Sequence, residues 1–220
     1  MMVQVKICGV NSPEAADAVA SAGADYAGLV FFPPSPRHVG YEQAASLASR
    51  LRGRCRIVAL VVDAGDAEIE AAVKAARPDL LQLHGRETPE RVAAIRQRFG
   101  LPVIKAVAVA EAADLVSAAA YDQVSDMLLF DAKAPSNASR PGGHGAAFDW
   151  QLLRNRRFSR PWLLGGGLTP DNVRRAISVC EAPGVDCSSG VESAPGMKDV
   201  QRIHDFVAVA RSANFFGVEA

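Results

Sequence analysis

This chain carries no net charge, because 24 Lys and Arg balance 24 Asp and Glu. With no global field to recruit a polyanion, neither a nucleic acid nor an anionic membrane is an expected partner, and an anionic ligand has to be held by local groups. Long apolar runs are also missing. The longest, around 57–62 and 126–130, fall far short of the roughly 20 residues with which a helix spans a bilayer. The N-terminus shows no basic segment followed by a leader-length apolar stretch and a small-residue cleavage site. Cysteine is scarce: Cys8, Cys55, Cys180 and Cys187 form no C-x-x-C pair, no zinc-like spacing with histidine and no dense framework. Reduced thiols in a cytoplasmic protein are therefore expected. No low-complexity stretch interrupts a composition that is 49% hydrophobic, which excludes a disordered chain.

What is present is an alternation. Short apolar runs at Val3–Ile7, Tyr26–Phe31, Ile57–Val62, Leu80–Leu83, Val103–Val107, Met127–Phe130, Trp162–Leu164 and Val185–Cys187 read as strands. Each precedes a segment of helical period: Pro13–Ala22, Tyr41–Leu51, Ala67–Ala76, Pro89–Phe99, Glu111–Ala120, Trp150–Asn155, Pro170–Val179 and Val200–Ala210. Ser12-Pro13, Thr88-Pro89 and Thr169-Pro170 each put a capping residue before a proline at the first helical position, and Gly23, Gly53 and Gly100 stand at helix ends. Strict βα alternation implies a parallel sheet with helical crossovers. Eight units in a chain of this length favour a closed, eight-stranded (β/α)₈ TIM barrel of the α/β class, one domain over residues 1–220, although periodicity alone leaves an open doubly wound sheet possible. The segment Ala132–Ala147, rich in Gly, Pro and Ser, is long for a loop, and a loop of that kind is usually functional and, lacking apolar anchors, mobile.

In such barrels the chemistry sits where the strands end. Strand one closes on Cys8, with Lys6 in register one pleat below. A thiol there is a small hydrophobe by default. The loop after strand two, FFPPSPRHV, presents Arg37 from a frame stiffened by three prolines, a guanidinium suited to bidentate capture of a carboxylate. Strand four ends QLHG, with Gln82 and His84 on one face. Asp131 closes strand six at the same mouth as Cys8, so the two form a candidate acid–base pair. Strand seven runs into Gly165, Gly166 and Gly167 before a helix start, and strand eight into Ser188, Ser189 and Gly190. Glycine lets backbone amides approach an anion, and the loops after strands seven and eight are the recurrent phosphate site of these barrels. The chain reads as a handler of phosphorylated small molecules. No hydrolase triad order is visible, and no carboxylate–histidine cluster asks for a metal.

The motifs KICG, SPR, QLHG, LLFDAK, GGHG followed by FDW, LLGGGLTPDNV and GVDCSSGVES-PG-KD resemble those of the phosphoribosylanthranilate isomerase family of tryptophan biosynthesis, in the family's order from Val5 to about Phe206. Cys187 and Ala146-Ala147 depart slightly from the family's pattern. The resemblance implies a (β/α)₈ barrel that carries out a cofactor-free Amadori rearrangement of N-(5-phosphoribosyl)anthranilate. It implies Asp131 as the general acid, Cys8 as the thiolate base and Arg37 as the partner of the anthranilate carboxylate. Gly166, Gly167, Ser188, Ser189 and Gly190 would hold the phosphate, with His84 and Asp186 as further substrate contacts. The partner is that small molecule; the chain would be a monomer or homodimer. A thiolate base needs a pKa below the usual ~8.5. Lys6, at roughly 7 Å along the strand, is the expected source, unless its ammonium pairs with a carboxylate inside the barrel.

Rivals are other phosphate-binding barrels or a non-catalytic phosphoribosyl-binding barrel. The histidine-pathway isomerase carries carboxylates at strand ends one and five, where this chain has Cys8 and Val107. A binding-only barrel would need neither Cys8 nor Asp131.

Overall fold

The computed structural model describes residues 2–133, 142 and 147–213. Eight parallel strands close into a barrel in chain order: β1 (Gln4–Cys8), β2 (Tyr26–Phe31), β3 (Arg56–Val61), β4 (Leu80–Leu83), β5 (Val103–Val109), β6 (Met127–Ala132), β7 (Trp162–Leu164) and β8 (Gly184–Cys187), with β8 pairing back onto β1. Closure settles the choice that periodicity left open.

Alternation along each strand divides the side chains between two cores. Tyr26, Val58, Leu80, Ile104, Ala106, Met127, Leu129 and Leu163 fill the barrel, with Cys8, Val30 and Leu60 as a separate buried group. Val5, Ile7, Ala27 and Leu29 point the other way and pack on the surrounding helices. Those helices are α1 (Pro13–Ser21), α2 (Tyr41–Leu51), α3 (Asp66–Ala76), α4 (Pro89–Phe99), α5 (Asp114–Val124), α6 (Val173–Cys180) and α7 (Val200–Arg211). Ser12 and Thr88 cap α1 and α4 through their hydroxyls, as their sequence positions suggest.

The fifth helix runs Asp114–Val124 instead of Glu111–Ala120, and three further details differ from the sequence reading. The sixth helix is only a 3-10 turn, Trp150–Leu153, capped by Asp149. The chain leaves that turn with Asn155 in a left-handed conformation, φ 60°. The wall there is filled by Phe130, Phe158 and Trp162, with ring centroids 4.7–5.9 Å apart. Second, α6 starts at Val173 rather than Pro170, because Asn172 Oδ1 accepts the Thr169 N–H at 2.8 Å and its Nδ2 donates to the Gly167 carbonyl at 2.9 Å, holding residues 167–172 in a turn. Third, a small antiparallel hairpin, β9 (Glu192–Ala194) and β10 (Met197–Lys198), is inserted between β8 and α7. Of the long segment 132–147, residues 134–141 and 143–146, including most of the GGHG motif, lie outside the described residues.

The N-terminal face of the barrel is stapled by a repeated device. Asp25, Asp79 and Asp126 each precede an even-numbered strand and accept the backbone N–H of Val5, Ile57 and Val103 on the preceding odd-numbered strand, at 2.6, 2.7 and 2.9 Å. At the opposite face, Lys105 of β5 leaves the barrel between inward-facing Ile104 and Ala106. It donates to the Leu83 and Gly85 carbonyls at 3.3 and 2.7 Å and pairs with Glu87 at 2.6 Å. Glu87 in turn accepts the N–H groups of Asp63 and Gly85. The pair therefore pins the loop that begins at His84.

Both partners of this pair are almost wholly buried, at 2% and 3% side-chain exposure. Removing one leaves a desolvated charge. Lys105→Met should lower unfolding free energy by about 3 kcal/mol, the low end of the range for a broken buried pair because Glu87 keeps its backbone donors. Urea denaturation measures this, and a loss under ~1 kcal/mol, as for an exposed pair, would contradict it.

Candidate active site

The C-terminal ends of the strands gather the polar residues that the barrel interior excludes. Cys8 ends β1 with its side chain turned inward beside Val30 and Leu60, 5% exposed. Below it Lys6 is fully buried and pairs with Asp186 of β8 at 2.7 Å. This is the carboxylate pairing inside the barrel that competes with any effect on the thiol. Burial opposes the Lys6 charge, but Asp186 and Cys8 together hold its ammonium above the ordinary lysine value. For Cys8 the balance falls the other way. Burial, assisted by Asp186, pushes the thiol up, and the opposing pull of Lys6 and Lys198 does not overcome it. The expected depression of the Cys8 pKa by Lys6 is thus corrected: desolvation is the larger effect in this closed interior.

Asp131 lies on β6, which continues past it to Ala132. Its Oδ1 accepts the Ala132 N–H at 2.9 Å, and its Oδ2 sits 3.1 Å from His84 Nε2. The other imidazole nitrogen, Nδ1, is 2.9 Å from the amide nitrogen of Gln82, a fully buried side chain. An amide nitrogen only donates, so Nδ1 accepts and Nε2 carries the hydrogen toward Asp131. Gln82 Oε1 is buried without a hydrogen-bond partner among the described residues. Gln82, His84 and Asp131 therefore form one chain across β4 and β6. In the closed ring β7 and β8 separate β6 from β1, which puts Asp131 and Cys8 on different sectors of one mouth.

The β7 and β8 loops lie against each other. Gly166 and Gly167 both occupy the left-handed region, φ 82° and 62°, which glycine adopts without strain. A Cβ at Gly190 would lie 1.8 Å from the Leu168 carbonyl oxygen, so only glycine permits this approach. Gly167, Thr169, Ser189 and Gly190 line one cavity of about 470 Å³ together with Arg202 and the carboxylates Asp171 and Asp205. Ser188 turns back instead, its hydroxyl donating to the Cys8 carbonyl at 3.0 Å. Among the described residues no group of three or more His, Cys, Asp or Glu side chains is arranged to hold a metal ion, and no helix is long and apolar enough to cross a membrane.

Arg37 is not the free guanidinium that its loop suggests. It is 4% exposed, and its Nε and Nη2 donate to Glu192 at 2.7 and 2.8 Å. Glu192 also takes Lys198 Nζ at 2.7 Å. Sequence reasoning singled out neither Glu192 nor Lys198, nor Glu87 and Lys105. The signal for Lys105 was available, as a lone charge inside the apolar run VIKAVAV. Glu192 and Lys198 stood in a quoted motif whose hairpin went unread.

Comparison with known proteins gives the family. The sequence profile for N-(5'-phosphoribosyl)anthranilate (PRA) isomerase matches residues 5–209. The N-(5'-phosphoribosyl)anthranilate isomerase of Bradyrhizobium sp. (strain ORS 278) is 53% identical over 219 residues, the full length of both chains. The crystal structure of phosphoribosyl anthranilate isomerase from Thermotoga maritima superposes with a TM-score of 0.85 at 38% identity, covering 95% of this chain and 98% of that one. A structure of the isomerase in complex with reduced 1-(o-carboxyphenylamino)-1-deoxyribulose 5-phosphate superposes at 0.81 and 35% identity, with 95% and 98% coverage. A closed barrel, a thiol and a carboxylate at its mouth and glycine-rich loops after β7 and β8 are thus joined by a match that spans nearly the whole sequence, and the chain belongs to the N-(5'-phosphoribosyl)anthranilate isomerase family.

Proposed function

We propose that this chain isomerises N-(5-phosphoribosyl)anthranilate to 1-(2-carboxyphenylamino)-1-deoxyribulose 5-phosphate, with Asp131 as general acid and Cys8 as general base. The supporting observation is the mouth itself: a buried thiol on β1, a histidine-supported carboxylate on β6, and two adjoining anion-suited loops between them. Asp131 protonates the furanose ring oxygen, the ring opens and the anilino nitrogen becomes a protonated Schiff base. The Cys8 thiolate takes the proton from C2, and the resulting enolamine gains a proton at C1 from the Cys8 thiol while its C2 hydroxyl gives up its proton to Asp131, which leaves the ketone and restores both groups. Bonds and protons balance without an added redox partner.

An acid must begin protonated. Oδ2 is taken up by the His84 Nε2–H, so the acid hydrogen is carried on Oδ1 and the His84 and Gln82 contacts stay as they are. A base must begin ionised, yet burial holds the Cys8 thiol above its ordinary value in the ligand-free protein. The protonated Schiff base supplies the missing cation beside the thiol, so ionisation and ring opening reinforce each other. Asp186, with one oxygen on Lys6, keeps the other for a substrate hydroxyl. Gly166, Gly167, Ser189 and Gly190 form the phosphate end, Ser188 having its hydroxyl on the Cys8 carbonyl instead, and Arg37 receives the carboxylate. The reaction takes place in the cytoplasm, and the chain acts as a monomer or homodimer.

Loss of the anthranilate substrate's fluorescence measures turnover directly. Cys8→Ala and Asp131→Asn should each reduce kcat by the ~10²–10⁴-fold typical of a lost acid or base, with circular dichroism unchanged. Near-normal rates in either variant would remove that residue from the mechanism, and no turnover by the intact chain would reject the assignment. The thiol's direction is tested separately. Because burial disfavours its charged form, Cys8 in the free protein should ionise only above the ordinary thiol range, so the thiolate absorbance lost in Cys8→Ala should appear at alkaline pH and be absent at pH 7. A thiolate signal at pH 7 in the unliganded protein would contradict this.

A further inference from the structure

The β9–β10 hairpin falls outside the eight βα units, yet it carries a fully buried charge cluster. Side-chain exposure is 4% for Glu192 and 0% for Lys198 on its two strands, and 5% for Arg37, which joins them from the β2 loop. Glu192 Oε1 accepts Arg37 Nε–H and Lys198 Nζ, each at 2.7 Å, and Oε2 accepts Arg37 Nη2–H at 2.8 Å and the Gly196 backbone N–H at 3.2 Å. Four bonds fill the carboxylate's acceptor sites. Lys198 also donates to the carbonyl and hydroxyl of Ser188, at 2.9 and 3.3 Å, and that hydroxyl holds the Cys8 carbonyl.

Backbone packing locks the same three loops. A Cβ at Gly9, next to Cys8, would stand 2.5 Å from Arg37 Cδ, so the Arg37 stem lies directly across the end of β1. A Cβ at Gly196 would stand 2.5 Å from the Pro36 carbonyl oxygen, and Asn11 Nδ2 donates to the Gly196 carbonyl at 2.9 Å. The hairpin therefore sits wedged between the loops after β1 and β2.

Two cations share one carboxylate, so the cluster keeps one uncompensated positive charge. Arg37 uses Nε–H and one Nη2–H on Glu192. Its three other N–H donors have no partner among the described residues. A guanidinium already fixed in plane by a bidentate pair loses little freedom when a second carboxylate arrives.

We propose that Glu192 is the positioning residue of the carboxylate subsite: it fixes the plane of Arg37 and, with Lys198, sets a buried net charge of one positive that selects a ligand bearing a single carboxylate. The proposal rests on the reading of Arg37 as the partner of the anthranilate carboxylate. Burial already pulls Lys198 below the ordinary lysine value and Glu192 opposes that pull, so removing Glu192 lowers it further. Net charge cannot then fall below one positive, so a weaker hold on the carboxylate in this variant reports lost positioning rather than lost charge.

The test compares two ligands by titration calorimetry: reduced 1-(o-carboxyphenylamino)-1-deoxyribulose 5-phosphate and its phenylamino counterpart, which lacks the carboxylate. Glu192→Gln should weaken the first by about 10-fold, the scale of one charge-assisted contact, and leave the second within about 2-fold. Arg37→Met should abolish the preference, and Arg37→Met/Glu192→Gln should bind no worse than Arg37→Met alone. Equal weakening of both ligands by Glu192→Gln, or additive losses in the double variant, would reduce Glu192 to a structural brace and overturn the proposal. If Glu192→Gln does not fold, Lys198→Met decides, because Glu192 then neutralises Arg37 and only the carboxylate-bearing ligand should weaken. An unchanged preference in Lys198→Met overturns the proposal, and an unchanged preference in Arg37→Met rejects the underlying reading of Arg37 itself.

Discussion

The ion pair between Lys6 and Asp186 spans the seam where β8 closes on β1. The two residues are register partners across that seam and meet at 2.7 Å inside the barrel. Closing a parallel sheet into eight strands brings their side chains into a common interior from which water is excluded. An unpaired lysine there would lose its proton or destabilise the fold. Paired, it retains a positive charge at the floor of the candidate active site, and Cys8 sits one pleat above it. The thiol inherits a field assembled for a structural reason: a cation and an anion below, Lys198 to one side, and apolar Val30 and Leu60 around it.

The same rule governs the other buried charges. Lys105 and Glu87 tie β5 to the loop that follows His84, and Glu192 gathers Arg37 and Lys198 beside the end of β1. None of these pairs is strong evidence for stability, since desolvating both partners offsets most of their attraction. What they supply is orientation. Each links a loop of the mouth to a neighbouring strand or loop, so the groups assigned to acid, base and carboxylate capture stand on fixed supports, while the aspartate staples hold the opposite face.

The architecture was largely legible in the sequence because strand period, helix period and proline-preceded caps agree along the chain. Strand positions such as Tyr26–Phe31 and Leu80–Leu83 appear where alternation places them. The short sixth helix was misread because Trp150–Asn155 has apolar residues at helical spacing, whereas tertiary packing of Phe130, Phe158 and Trp162 fills the wall instead. Cys8, Asp131 and the glycine loops were visible as polar endings of apolar strands. Glu192 and Lys198 were not, because their importance lies in contacts across about 155 residues of sequence, between Arg37 and Glu192, which no local pattern encodes. Nor can a one-dimensional reading weigh burial against a nearby ammonium, and so Lys6 was credited with more influence on Cys8 than desolvation leaves it.

The proposed reaction requires one sugar phosphate to lie across this mouth with its C2 at the thiol and its opened ring oxygen at the carboxylate. A crystal structure of this protein with reduced 1-(o-carboxyphenylamino)-1-deoxyribulose 5-phosphate tests it most directly. The phosphate should lie against the loops after β7 and β8, the aryl carboxylate on Arg37, and Cys8 Sγ and Asp131 within about 3.5 Å of C2 and of the C4 hydroxyl. A ligand bound in reverse, with its phosphate on Arg37, or one that leaves Cys8 more than a water's width from C2, would contradict it.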